Sequence, residues 1–104
     1  MYGRLVEIES IDPSKRDEVL HELRDKVIPA LKEIDGFAGF ISLVDEDTRR
    51  ARSVVLWETR ESADEAERQF KARREEMVTR MGATVRSADL YEAPIVEVTV
   101  GARV

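Results

Sequence analysis

Residues 53–70, SVVLWETRESADEAERQF, pass from an unbroken apolar run into a charged segment dotted with alanine. In an extended chain Val54 and Leu56 point to one side while Val55 and Trp57 point to the other, so SVVLW reads as a strand with two apolar faces. Ser62 and Glu65 stand three apart, as in a capping box, and a helix is expected to start there. Ala63, Ala66, Phe70, Met77 and Met81 then recur at helical spacing as its buried stripe. Asp64 with Arg68 and Glu67 with Lys71 are i,i+4 pairs for the wet side, and Gly82 is a natural stop.

The same reasoning runs outward in both directions. Tyr2 to Glu9 alternates as a strand, and Asp12-Pro13 begins a helix, Asp as cap and Pro at the first position, where a missing N–H does no harm. Val19, Leu20, Leu23, Val27, Leu31 and Ile34 form its stripe. Pro29 falls inside that pattern and is expected to kink the helix or end its regular part, and Asp35-Gly36 stops it. Phe37 to Val44 is a second strand, and the charged segment Asp45 to Arg52 is a hairpin loop before the Ser53–Trp57 strand. Val85 to Glu92 and Ile95 to Val100 are both strand-like, with Pro94 between them. The second is expected to be the full strand and the first to be short or irregular.

The order β-α-β-β-α-β predicts an α+β, ferredoxin-like fold, an antiparallel sheet with two helices on one face, in a single domain spanning residues 1–104. Helices cover only one face of such a sheet. The apolar second face therefore predicts a homodimer, each copy covering the other.

Composition removes several classes of chemistry. The 104 residues contain no Cys and no Asn, and His21 is the only histidine, which excludes thiolate sites and any mechanism needing two His from one chain. With no G-x-G-x-x-G phosphate loop, and one His with no Cys, we expect no haem, flavin or metal dependence. With 17 basic and 22 acidic residues the net charge is −5, so a nucleic-acid partner is not expected. The basic cluster Arg49, Arg50 and Arg52 follows Asp45, Glu46 and Asp47 and reads as a mixed-charge hairpin tip. No apolar run reaches 18 residues, and the chain enters a strand at Tyr2, so we expect a cytoplasmic protein with no membrane partner.

IPALKEIDGFAGF followed by SVVLWETRESADEA resembles the antibiotic biosynthesis monooxygenase-like family of dimeric α+β barrel proteins. The matching positions are Pro29 near the end of a helix, Gly36-Phe37 opening a strand, and Trp57-Glu58 closing the next. The resemblance implies a dimeric barrel with a ligand cavity between sheet and helices in each subunit. It implies activities that include cofactor-independent oxygenation of aromatic substrates and, in one branch, haem degradation. That branch uses an Asn on the first strand and a His on the second helix, and this chain has neither. The scaffold pattern is kept where the catalytic pattern is not.

Four residues are candidates for ligand binding: Trp57, Arg74, Tyr91 and Arg4. Trp57 also reads as a core aromatic at a strand end. Arg74 lies four after Phe70 and three before Met77, inside the buried stripe. Either its stem packs while the guanidinium snorkels to water, or the head enters the cavity and holds a carboxylate or phenolate. Arg4 is a charge on a central strand, and Tyr91 offers a hydroxyl. His21 lies about 130° from the centre of the helix-one stripe and belongs to solvent. Two functions follow: a cofactor-independent monooxygenase acting on a small phenol- or anthrone-like aromatic, or a non-catalytic ligand-binding or interaction module on the same scaffold. A cavity above about 300 Å³ with converging polar groups points to the first, and a filled interior to the second.

Overall fold

A computed structural model describes residues 1–99 of the chain. Four strands, β1 (Tyr2–Glu9), β2 (Phe37–Asp45), β3 (Arg50–Trp57) and β4 (Thr84–Glu92), form one antiparallel sheet in the order β2-β3-β1-β4. Between β1 and β2 the chain forms one irregular helical arm, and between β3 and β4 the long helix α3 (Arg60–Arg80). This is the expected ferredoxin-like α+β arrangement, with β1 and β3 at the centre.

The helical arm starts as read. Asp12 is the cap, its carboxylate accepting from the Ser14 backbone N–H at 3.0 Å and from the Ser14 hydroxyl at 2.7 Å. A 3₁₀ turn at Pro13–Lys15 leads into α1 (Arg16–Glu22), then a π-helical stretch Leu23–Val27, then α2 (Ile28–Lys32). Pro29 explains the π stretch: proline has no N–H to give and its ring crowds the carbonyl four residues back, so the wider turn forms just ahead of it. The helix is neither broken nor sharply ended there.

Three expectations are corrected. The N-cap of α3 is Thr59, not Ser62: its Oγ1 accepts the Ser62 N–H at 3.1 Å, so the helix begins a turn earlier and Ser62 lies inside it. Glu65, freed from capping, accepts from Arg68 at 2.9 Å and from Gln69 at 3.2 Å. The C-terminal strand is Thr84–Glu92, paired with β1 along its whole length, and residues 95–99 form no strand. Pairing decides this. The register runs from Glu9 opposite Thr84 to Tyr2 opposite Glu92, and a further bond joins the Ala93 N–H to the Met1 carbonyl at 2.9 Å. Val100 lies outside the described residues. The third correction is smaller: β3 begins at Arg50, so the hairpin turn is only residues 46–49.

Alternation divides the sheet as expected. Val6, Val55 and Trp57 face the helices, and Trp57 is 1% exposed among Leu31, Ala63 and Ala66. Phe37 meets it edge-on, with centroids 5.8 Å apart and planes at 82°. On the other face Ile41, Leu43 and Tyr91 are exposed. Two glycines close the connections around this core. At the end of α3, Gly82 (φ 70°) lets Ala83 N–H reach the Val78 carbonyl at 3.1 Å and its own N–H reach Thr79 at 2.9 Å, a Schellman motif. Gly36 (φ 91°) accepts the Glu58 N–H at 2.8 Å, pinning the start of β2 against the end of β3.

Alanine at these two glycines separates strain from collision. A Cβ on Gly36 would stand 2.9 Å from Ser62 Cβ and strike its hydroxyl, whereas one on Gly82 meets nothing within 4 Å. Gly36→Ala is expected to destabilise by about 2–4 kcal/mol and Gly82→Ala by about 1 kcal/mol, read from urea unfolding.

Candidate functional site

The two helical elements do not close over the whole sheet. Between them lies a cleft with Val19, Leu20 and Leu23 on one wall, Phe70 and Met77 on the other, and Val6, Phe40 and Val55 as its floor. The cavity measures about 140 Å³ and its lining is almost wholly apolar. It is neither the filled interior nor the space above 300 Å³ that would have separated the two sequence readings.

Two of the charged residues along it, Arg4 and Arg74, form a cluster with Glu67, which does not itself line the cleft. Arg4 points from β1 to the helical side, where both Arg4 and Arg74 line the cleft. Arg74 donates Nη1–H to Glu67 Oε1 at 2.9 Å and Nη2–H to Oε2 at 2.8 Å, a two-pronged ion pair across two turns of α3. Arg4 donates from Nη1 to the Ala88 carbonyl at 3.2 Å. Its other nitrogens stand farther off, Nε at 3.7 Å from Glu67 Oε1 and Nη2 at 3.9 Å from Asp64 Oδ1. The side chains of Arg4, Arg74 and Glu67 are 13%, 16% and 24% exposed. Arg74 Nε is buried and has no hydrogen-bond partner.

Hydrogen bonds from Arg74 hold the Glu67 carboxyl below the ordinary carboxylate range. Burial works against them, and the charges of Arg74, Arg4 and Lys71 add to them. Glu67 is therefore an anion that holds two cations in place, and a poor proton acceptor. Its expected surface pairing with Lys71 is replaced by the inward one with Arg74, because Glu67 itself falls on the stripe that faces the sheet.

Of the four candidates, the structure brings two together. Arg4 and Arg74 share the cleft wall. Trp57 is packed into the core beside the cleft and does not line it. Tyr91 lies opposite Gly3 on the other face of the sheet and is 54% exposed, away from this cavity. The snorkelling reading of Arg74 is corrected: its stem does pack, but its head stays inside, tied to Glu67. His21 is exposed as expected, its Nε2 2.9 Å from Asp25 Oδ2. Glu67 was missed as a site residue, although a signal existed. It stands three before Phe70 and seven before Arg74, so two opposite charges interrupt one apolar stripe two turns apart.

If the pair is coupled as the geometry requires, a double-mutant cycle of Arg74→Met and Glu67→Gln returns an interaction of about 1–3 kcal/mol at pH 7. Because the folded carboxyl titrates below its ordinary value near 4.5, its stabilising effect is complete above that value and fades as pH falls through the depressed one. The stability gap between the wild type and Glu67→Gln should then narrow as pH falls below about 4.5, measured by urea unfolding at each pH.

No protein-family model matches the chain. Two uncharacterised proteins from strains of Mycobacterium tuberculosis are 40% identical to it over 62 residues, 60% of this chain. The match spans only 26% of those relatives' length. Among solved structures, HapK from Hahella chejuensis superposes with a TM-score of 0.71 at 15% identity, covering 97% of this chain and all of that one. A Deinococcus radiodurans protein, provisionally named an antibiotic biosynthesis monooxygenase, gives 0.70 at 14% identity over the same shares. A monooxygenase from the gene ActVA-Orf6 of Streptomyces coelicolor, solved with nanaomycin D, gives 0.68 at 12% identity, covering 94% of this chain and 91% of that one. The chain has the fold of the antibiotic biosynthesis monooxygenases.

Proposed function

We propose that the cleft takes a small aromatic ring and that the protein is a cofactor-independent monooxygenase of phenols. The observation that carries this reading is the pairing of an apolar cavity with a fixed guanidinium cluster on its wall. A dry apolar cavity of about 150 Å³ accepts benzene, so the 140 Å³ here suits one ring and not the three of an anthrone. The S. coelicolor monooxygenase solved with nanaomycin D supports a small-molecule role for the fold.

An ionised phenol is itself the reductant. It gives an electron to O₂, a C–O bond forms on the ring, and loss of water from the resulting peroxide leaves a quinone. For a phenol with a free para position, phenol plus O₂ becomes quinone plus water. One oxygen atom enters the ring, the other leaves as water, and the substrate supplies all four electrons. The chain would contribute a water-poor space and cations beside the phenolate.

A second reading has its own support. The acidic groups lining the cleft are Asp12, engaged with Ser14, and Glu46, paired with Arg16. Neither is free to take a phenol proton, and no His lines it. A module that binds the ring without oxygenating it fits that wall. An oxygen electrode separates the two: the enzyme consumes one O₂ for each quinone formed from a single-ring phenol, and the module binds such phenols with no uptake. If no single-ring phenol binds, both readings fall.

We also infer that a second copy covers the outer sheet face. Ile41, Leu43 and Tyr91 are 42%, 55% and 54% exposed there, beside Leu5 and Val54. Gly3 and Gly39 flank Leu56, and a Cβ on either would come within 3.3 Å of Val54 or Leu56, so the face is flat as well as apolar. Sedimentation is expected to give twice the 11.9 kDa chain mass, and Leu43→Lys to return the monomer. A wild-type monomer at micromolar concentration overturns this.

A further inference from the structure

We propose that the part of the helical arm from Pro13 to Val27 is a hinged wall of the cleft, clasped to α3 through Arg80, and that a ring enters and leaves when the clasp opens. This rests on the reading of the cleft as a ligand site and adds how that site is opened.

Burial is the first observation. No residue from Pro13 to Val27 is buried, although Val19, Leu20, Leu23 and Val27 form an apolar stripe. All four line the cleft, and of them only Val27 also packs against the buried core. The chain on either side is anchored. Ahead of the span the Ile11 N–H donates to the Arg49 carbonyl at 3.1 Å, and beyond it Leu31 is buried with Trp57 and Ala66. The facing wall, α3, buries Ala63, Ala66, Met77 and Val78. One wall of the cleft is packed along its length, and the other is held at its ends. A segment with few buried apolar contacts is the kind that opens without unfolding the rest.

The ties across the gap are the second. Among the described residues, every hydrogen bond and ion pair from this span to α3 ends on Arg80, the last residue of that helix. The Arg80 carbonyl accepts from Lys15 Nζ at 3.0 Å. Its Nη2 donates to Glu22 Oε1 at 3.0 Å and to Oε2 at 3.3 Å. One residue thus holds the span at two points about two helical turns apart. The Arg80 side chain is 55% exposed, so water competes for this ion pair and breaking it costs little. Arg16, paired with Glu46 of the β2–β3 hairpin, is a second tie of the same exposed kind. Backbone is the third observation. The π-helical stretch Leu23–Val27 lies between the unburied α1 and the anchored α2, just ahead of Pro29, which has no N–H to give. Helices bend at such places, so the hinge falls where the packing begins.

The test is amide hydrogen exchange of the full chain, followed by the kinetics of phenol binding from NMR line shapes. Amides of Val19–Val27 are expected to exchange faster than those of Ala66–Val78 in α3. Arg80→Gln removes the guanidinium, and Glu22→Gln removes its partner while leaving α3 untouched. Each should speed exchange in the span by about two- to fivefold, the worth of an exposed ion pair, with α3 and β1 unchanged. Phenol should associate and dissociate faster by the same factor in both variants. Its Kd should stay the same, because the clasp holds the wall with or without a ring. If the span exchanges no faster than α3, or if Glu22→Gln speeds α3 equally, the span and the core are one unit and the hinged wall is overturned. Unchanged phenol rates beside faster exchange overturn the gate as well, since the ring then has another way in. In each of these cases bound phenol leaves the ligand site standing. If exchange is as expected and phenol binds neither wild type nor variants, the ligand site falls, and its gate with it.

Discussion

Strand β1 hydrogen-bonds along its length to β3 on one side and β4 on the other, and the whole architecture inherits its alternation. Because successive side chains must take opposite faces, β1 sends Val6 into the helical layer and holds Gly3 and Leu5 to the outer one. Each neighbour is then committed, residue by residue: Val55 and Leu90 flank Arg4, and Leu56 and Tyr91 flank Gly3. One consequence is unusual. A central strand with both edges paired gives Arg4 no route to water except past the helices, so its charge has to be met inside. The acidic group that meets it, Glu67, comes from α3.

That meeting depends on how the helices sit. Ala63 and Ala66 are the small residues through which α3 approaches β3, and Trp57 fills the space beside them. Farther along, Phe70, Met77 and Met81 are long enough to hold α3 off the sheet, and the cleft opens on their side. The opposite wall depends on the irregular helix. Leu23, Val27 and Leu31 recur every four residues, and in an α-helix each such step overshoots a full turn by about 40°. The π-helical stretch at Leu23–Val27 advances less per residue and takes back that drift, so the row stays on the cleft. A proline that interrupts hydrogen bonding thus keeps a wall straight.

Much of this was legible in the sequence because periodicity and backbone chemistry act locally. The strand Tyr2–Glu9, the Asp12-Pro13 start, the stops at Gly36 and Gly82 and the two apolar faces of β3 needed only a few neighbouring residues. The failures lie where the deciding partner is distant. Thr59 and Ser62 are both competent caps, and the choice between them follows from where β3 releases the chain after Trp57. Val85–Glu92 and the segment after Pro94 have similar β propensity, and pairing with β1 distinguishes the first. Trp57 and Tyr91 each had a polar handle and a plausible site. Strand register alone sends one into the core and the other to the far face. At the cleft Arg74 was visible as an interruption of a stripe, whereas Glu67 was hidden by an equally good surface explanation four residues on at Lys71.

The Arg4–Glu67–Arg74 cluster is hard to account for as a stabilising device. Taking three charges largely out of water carries a desolvation penalty that their mutual attraction repays only with complete hydrogen bonding, and apolar replacements of similar volume are often neutral or better. Here the hydrogen bonding is incomplete, since Arg74 Nε has no partner and Arg4 lies 3.7 Å from Glu67. Two methionines already serve the same helix face, so an apolar stripe through position 74 was open to this sequence. A guanidinium costs more there than a thioether and contributes a fixed, directed donor that a thioether lacks. Stability alone therefore does not explain the choice.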